Sequence, residues 1–236
     1  LPEPILRIEN LEFSFGPTPV LKGVNLELNA RENCLLWGFN GSGKTTLGKL
    51  VAGLLRPDSG RITVNSPAAG VPVGMVLAEP DLMLLGDTAL EDVRVGPENL
   101  NFDREDVERR AGEALNDVGL WELRNRPIAE LSTGERKRLA VAGVLAMGVE
   151  ILILDEPFAF MDDFQAERLF DVLRRIAAAG RAVLVLSGHL RWPELYDRVF
   201  VLIDGTVNGG KPQDMVKYVT ELTSTRLDAA EKREDG

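Results

Sequence analysis

Two short stretches carry most of the chemistry this sequence can do. Residues 38–46 read GFNGSGKTT, and residues 151–157 read ILILDEP. The first matches the spacing G-x-x-x-x-G-K-[ST] from Gly38 to Thr45, the pattern of a loop that holds nucleotide phosphates. Its glycines let backbone N–H groups curl around phosphate oxygens with no Cβ in the way. A helix beginning just after it aims roughly half a positive charge at the same place. Lys44 is placed to reach the β- and γ-phosphates, and Thr45 to offer a hydroxyl to Mg²⁺. The second stretch runs four aliphatic residues straight into two carboxylates. An unpaired buried charge costs several kcal/mol, on a rough estimate. Asp155 and Glu156 therefore either end a solvated strand or meet a cation. In the second case Asp155 holds Mg²⁺, directly or through water, and Glu156 faces the attacking water.

Both stretches need a frame that brings them to one rim. CLLW (34–37) and ILILD (151–155) are short apolar runs, as are VGMVL (73–77) and AVLVLS (182–187). Unbroken apolar strands separated by helical segments predict a parallel sheet covered on both faces. Ligands in such sheets sit at the carboxyl ends of the strands, where residues 38 and 155 both fall. The segments 5–15 and 24–29 alternate with period two, as half-exposed strands do. Helices are predicted over 45–55, 102–120, 132–147 and 163–180, with Asp103 as a cap and Gly119 and Gly180 as stops. Asp204-Gly205 predicts a hairpin within 199–207. The expected fold class is α/β, a P-loop core with a parallel sheet, an antiparallel β subdomain and an inserted helical subdomain. The expected division is 1–77 and 146–212 for the core that carries the nucleotide-phosphate loop and the antiparallel β subdomain, 78–145 for the helical subdomain, and 213–236 for a short C-terminal helix with a charged, frayed tail.

Composition removes several alternatives. The chain has 236 residues and a net charge of −10, a poor match to the basic stripe that nucleic-acid binding needs. A single Cys (Cys34) and a single His (His189) exclude an intramolecular disulfide and a His/Cys metal cluster, and fit a reducing compartment. The apolar run 139–149 is shorter than the roughly 20 residues of a spanning helix. The start, LPEPILRIEN, lacks the basic region of a signal peptide. These features predict a soluble chain.

Further stretches extend the pattern. LSTGERKR (131–138) precedes the acidic strand, FMDD (160–163) and LSGH (186–189) follow it, and FSFGP (13–17) lies near the start. With GFNGSGKTT and ILILDEP, they resemble the nucleotide-binding subunit of ABC transporters over about residues 5–210. The resemblance implies ATP and Mg²⁺ as cofactors. It implies ATP binding by Gly38, Asn40, Gly41, Ser42, Gly43, Lys44, Thr45 and Thr46, with Thr45 and Asp155 on the metal. Glu156, His189 and Lys44 would be the catalytic set. Phe15 would stack on adenine, or else be core packing. Ser132 and Gly134 would close over ATP held by another subunit, and Asp162 would take the family's aspartate position. Ser132 and Glu135 also form an S-x-x-E capping box, so ordinary helix capping competes with that role. His189 competes likewise between γ-phosphate contact and a structural role. VGPENL (95–100), LAEPD (77–81) and AFMDD (159–163) are similar to ATPases of energy-coupling-factor importers, especially the cobalt/nickel type. That implies import of a micronutrient (cobalt or nickel ion, or vitamin), a head-to-tail dimer with itself or a related ATPase, transmembrane coupling and substrate-binding subunits, and a peripheral place on the cytoplasmic face of a prokaryotic membrane. Leu82, Met83, Leu84 and Leu85 would either receive a partner helix or pack inside.

The chain departs from the family at three places. Ala78 stands where the family carries Gln, Thr133 where it carries the first signature Gly, and Glu135 where it carries the signature Gln. Ala78 can neither touch Mg²⁺ nor orient water, so Glu79 is the expected substitute. The same departure keeps open an ATP-binding regulatory or structural subunit with weak hydrolysis.

Overall fold

The computed structural model describes residues 3–66 and 71–234. The beginning at Leu1 and Pro2 and the last two residues of the expected frayed tail lie outside them. Two sheets form. The larger has six strands in the order β5-β6-β7-β3-β8-β9, namely β5 (Val73–Val76), β6 (Ile151–Asp155), β7 (Ala182–Ser187), β3 (Asn33–Trp37), β8 (Arg198–Ile203) and β9 (Thr206–Gly210). The first five run parallel, and β9 turns back antiparallel on β8. The β8–β9 turn is the expected Asp204-Gly205, both at positive φ. The smaller sheet is antiparallel, with β1 (Leu6–Phe15) between β2 (Thr18–Leu28) and β4 (Ser59–Val64). It packs with α1 (Lys44–Val51) and one face of the large sheet into one core.

The central strands are buried along their whole length, which is why they read as continuous apolar runs rather than alternations. The opposite face carries α5 (Asp163–Ala178) and the helical region, in a second core. That region contains α2 (Ala89–Asn99), α3 (Arg104–Asp117) and α4 (Thr133–Ala146). Asp103 caps α3 as expected. Nothing in the hydrophobic pattern had marked α2, a helix with Pro97 inside it. A complete Thr88/Glu91 capping box starts it, a local signal of the kind read at Ser132.

The C-terminal helix α6 (Pro212–Glu234) runs 23 residues, where the sequence predicted a short helix and a frayed tail. Apart from Asp228, the stretch LDAAEKRE is built of strong helix formers, so local propensity continues the helix. Among the described residues, no helix is long and apolar enough to cross a membrane.

Candidate functional site

Register brings the two chemical stretches together. Trp37 at the end of β3 pairs with Ser187 at the end of β7, and Asp155 at the end of β6 pairs with Leu186. Three chain exits therefore open at one rim: the loop from Gly38, the turn at Glu156, and Gly188-His189.

The loop wraps the start of α1. Gly43 is the helix N-cap at φ 104°, in the left-handed region where a side chain would be strained. A Cβ there would also fall 2.8 Å from the Val20 side chain. No side chain caps α1, so its first N–H groups face the rim without intrahelical partners. The buried Ser42 hydroxyl has no hydrogen-bond partner. An anion bound in the loop would satisfy both. The Lys44 ammonium is buried and donates to the carbonyls of Gly38 (2.8 Å) and Phe39 (3.2 Å). It lies 3.7 Å from the Glu156 carboxylate. Burial lowers its pKa, and the charges of Glu156 and Asp155 partly oppose this.

Thr45 Oγ1 donates to Asp155 Oδ2 at 2.7 Å. Asp155 is buried, and its Oδ1 has no hydrogen-bond partner. Burial raises its pKa, and the Thr45 hydrogen bond only partly offsets this. A hydroxyl beside an orphaned carboxylate oxygen suits a hard, oxygen-seeking cation such as Mg²⁺. The residues present fit that ion.

Glu156 sits at φ 44°, an uncommon conformation for a non-glycine residue. The resulting turn leaves the line of β6. Its carboxylate accepts from Gly188 N–H (2.7 Å, Oε1) and from the Ser187 hydroxyl (3.0 Å, Oε2). Ser187 Oγ also accepts from His189 N–H at 3.1 Å. Ser187 is thus a site residue that motif reading missed. It lies inside LSGH and ends an apolar strand, and the sequence reading gave a role there to His189 alone. The available signal was its place at the same rim, one strand away from Asp155. The His189 side chain is exposed and lines one cavity with Glu156, Phe158, Ser187 and Arg191.

Phe15 is 57% exposed and rests edge-on against Phe13, with ring centroids 4.9 Å apart. That exposure removes the core-packing alternative. Its strand neighbours Thr18, Pro19 and Val20 line one cavity with Asn40, Gly41 and Ser42. Thr46 follows Thr45 in the first turn of α1.

The remaining expected residues sit elsewhere. Ser132 and Glu135 form the reciprocal capping box of α4, with Ser132 N–H to the carboxylate at 2.8 Å and Glu135 N–H to the hydroxyl at 3.3 Å. Burial alone would raise the Glu135 pKa, but the two bonds from Ser132, together with the charges of Arg138 and Arg126, outweigh it and hold the carboxyl below its usual range. Gly134 lies against α5: a Cβ there would fall 2.7 Å from the end of the Gln165 side chain, which would have to swing aside. Asp162 is the N-cap of α5, accepting from Gln165 N–H at 2.7 Å. The rim gathers Lys44, Thr45, Asp155, Glu156 and Ser187. The contacts of Ser132, Gly134 and Asp162 are instead with α4 and α5. Ala78 and Glu79 follow β5, and Glu79 is exposed at the start of a short 3-10 turn, Pro80–Leu82. Leu82 and Leu85 are exposed, whereas Met83 and Leu84 pack on the core, so only half of the expected apolar socket faces outward.

The chain is similar to known proteins of one family. The family model for ABC transporters matches residues 21–159. A putative ABC transporter ATP-binding protein of Halobacterium salinarum is 39% identical over 221 residues, covering 89% of this chain and 95% of its own. An energy-coupling factor transporter ATP-binding protein of Carboxydothermus hydrogenoformans is 38% identical over 212 residues, covering 86% and 78%. Among solved structures, cbiO1 of Clostridium perfringens, part of the ABC transporter complex cbiONQ, superimposes with a TM-score of 0.83 at 30% identity, covering 97% of this chain and 98% of that one.

Proposed function

From the premise that this chain belongs to the ABC transporter family, as an ATP-binding subunit and an ATPase of the energy-coupling-factor type, we propose that it powers import of a micronutrient, a cobalt or nickel ion or a vitamin, through membrane partner subunits. The observation that carries the hydrolytic part is the Glu156 carboxylate, held by two donors beside the Lys44 ammonium.

In this reading ATP lies along the loop 38–46, with Phe15 against the adenine. The α1 N-terminus, Lys44, the Ser42 hydroxyl and Thr46 meet the phosphates. Thr45 and Asp155 hold Mg²⁺, which when bound would neutralise charge developing on the phosphate oxygens. Glu156 orients the attacking water and accepts its proton, a contribution of roughly 10²–10⁴-fold for a positioned base. Ser187 and Gly188 fix that carboxylate, and His189, which lines the same cavity, contacts the γ-phosphate. Most of the remaining rate comes from positioning and fixed charge.

A second subunit, a copy of this chain or a related ATPase, completes the site by placing Ser132 and Gly134 over the γ-phosphate. Two features support this. The α4 N-terminus is exposed at Ser132 and Thr133. Phe160, 97% exposed, and Phe164, 67% exposed, follow Glu156 in the chain, and exposed aromatic side chains are of the type enriched at interfaces. The exposed Leu82 and Leu85 offer a place for a cytoplasmic helix of the membrane coupling subunit. The protein would then sit on the cytoplasmic face of a prokaryotic membrane.

The test is Mg²⁺-dependent ATPase turnover of the chain beside Glu156→Gln, with dimerisation followed in the same samples. The wild type should turn over, while Glu156→Gln should accumulate as an ATP-bound dimer. A Glu156→Gln protein that hydrolyses at the normal rate would remove Glu156 from its role. If neither protein hydrolyses although both bind ATP, the regulatory alternative raised by Ala78 gains over the motor.

A further inference from the structure

The three consecutive basic residues of α4 reach three different parts of the molecule. Arg136 pairs with Asp81, in the 3-10 turn after β5, at 3.0 Å. Arg138 donates to the Val118 carbonyl at the end of α3, at 3.0 Å. Lys137, between them, is only 5% exposed. Its ammonium donates to the carbonyls of Ala159 (2.7 Å), Pro157 (2.9 Å) and Glu156 (3.4 Å). An ammonium has three protons and no acceptor capacity, so this group is fully used.

The segment it holds has an unusual backbone. Both Glu156 (φ 44°) and Phe160 (φ 61°) are non-glycine residues in the left-handed region. Such conformations persist only where the surroundings over-determine them. Backbone bonds within the segment are few: Ala159 N–H to the Glu156 carbonyl at 3.1 Å and Met161 N–H to the Phe158 carbonyl at 3.4 Å. Lys137 supplies three more, from the helix that starts at Ser132. A buried lysine could be replaced by an apolar residue were it only filling space. Its burial pushes its pKa down to about 8, with the Glu156 charge pulling the other way. The site thus tolerates an ammonium at a cost, and three carbonyls compensate it.

We propose that Lys137 is a positioning residue for hydrolysis: it clamps the turn 156–160 and so ties the direction of the Glu156 carboxylate to the placement of the α4 N-terminus. One side chain then links the group that orients water in this chain's site to the helix end offered to the neighbouring site. This inference rests on the reading of Glu156 as the base.

The experiment compares Lys137→Met, Lys137→Arg and Glu156→Gln with wild type in the full chain, with ATP affinity, ATP-dependent dimerisation, kcat and KM measured per folded molecule. Lys137→Met should bind ATP within about threefold of wild type, a difference of about 0.65 kcal/mol. Its kcat should fall about 10²-fold, the scale of a misplaced reacting group, and the protein should collect as an ATP-bound dimer as Glu156→Gln does. Lys137→Arg, which restores a cation with donors, should recover part of the lost kcat. If Lys137→Met does not fold, Lys137→Gln, which keeps two donors without the charge, takes its place in the comparison. A Lys137→Met with wild-type kcat beside an inactive Glu156→Gln overturns the clamp and leaves the base assignment standing. A Glu156→Gln with wild-type kcat overturns both. A loss of total activity that disappears once kcat is expressed per folded molecule assigns Lys137 to stability alone and also overturns the proposal.

Discussion

Ser187→Ala isolates one bond to the proposed base without touching the base. The hydroxyl is the donor to Glu156 Oε2 and the acceptor for His189 N–H. Alanine removes both and leaves the backbone of β7 unchanged. Gly188 N–H still holds Oε1 at 2.7 Å, and Lys44 remains 3.7 Å away. The carboxylate is not lost; it is free to rotate about one remaining anchor. A hydrogen bond to a charged group contributes about 1.5–3 kcal/mol. Glu156 is one quarter exposed, so water partly replaces the missing donor and the low end applies. About 1.5 kcal/mol corresponds to roughly a tenfold drop in kcat. ATP affinity should barely change, because the Ser187 hydroxyl faces Glu156, while the Ser187 carbonyl, which accepts from Gly38 N–H at 3.3 Å, is kept in alanine. The assay is steady-state ATPase activity with saturating Mg²⁺, alongside equilibrium ATP binding, with Glu156→Gln as the inactive reference. A Ser187→Ala enzyme within twofold of wild-type kcat, beside an inactive Glu156→Gln, would show that the bond does not orient the base. A fall in ATP affinity equal to the fall in kcat would refute the separation of base and phosphate loop.

Two further outcomes follow from the same geometry. Thr45→Ala removes the hydroxyl that donates to Asp155 at 2.7 Å, so the Mg²⁺ concentration for half-maximal activity should rise about tenfold, or about 1.4 kcal/mol; an unchanged Mg²⁺ titration would exclude Thr45 from the metal site. For the proposed docking surface, cysteines at Leu85 and in the coupling subunit's cytoplasmic helix should cross-link in the assembled complex, whereas Leu84, packed inward, should not; equal labelling of both positions would rule the surface out.

Much of this protein was legible in its sequence, wherever the physics is local. The phosphate loop could be read because positive φ, a missing Cβ and an uncapped helix start are properties of a few consecutive residues. The same holds for the Ser132/Glu135 box, the Asp103 cap and the Asp204-Gly205 turn, each observed where it was expected. The acids after ILIL were suspect because a buried strand cannot end in charge without a reason. Tertiary structure decided what depends on register and on helix crossing. Ser187 reaches Glu156 only because β6 and β7 pair in parallel with Asp155 opposite Leu186, and strand pairing across some 30 residues leaves no local mark. Lys137 reads as one more surface base in a charged run. It is buried because α4 lies against the segment after β6 and its ammonium meets the carbonyls there, so its burial belongs to tertiary packing and not to its neighbours in sequence. A local signal specifies a turn or a cap; which distant carbonyl a lysine meets is specified by the fold.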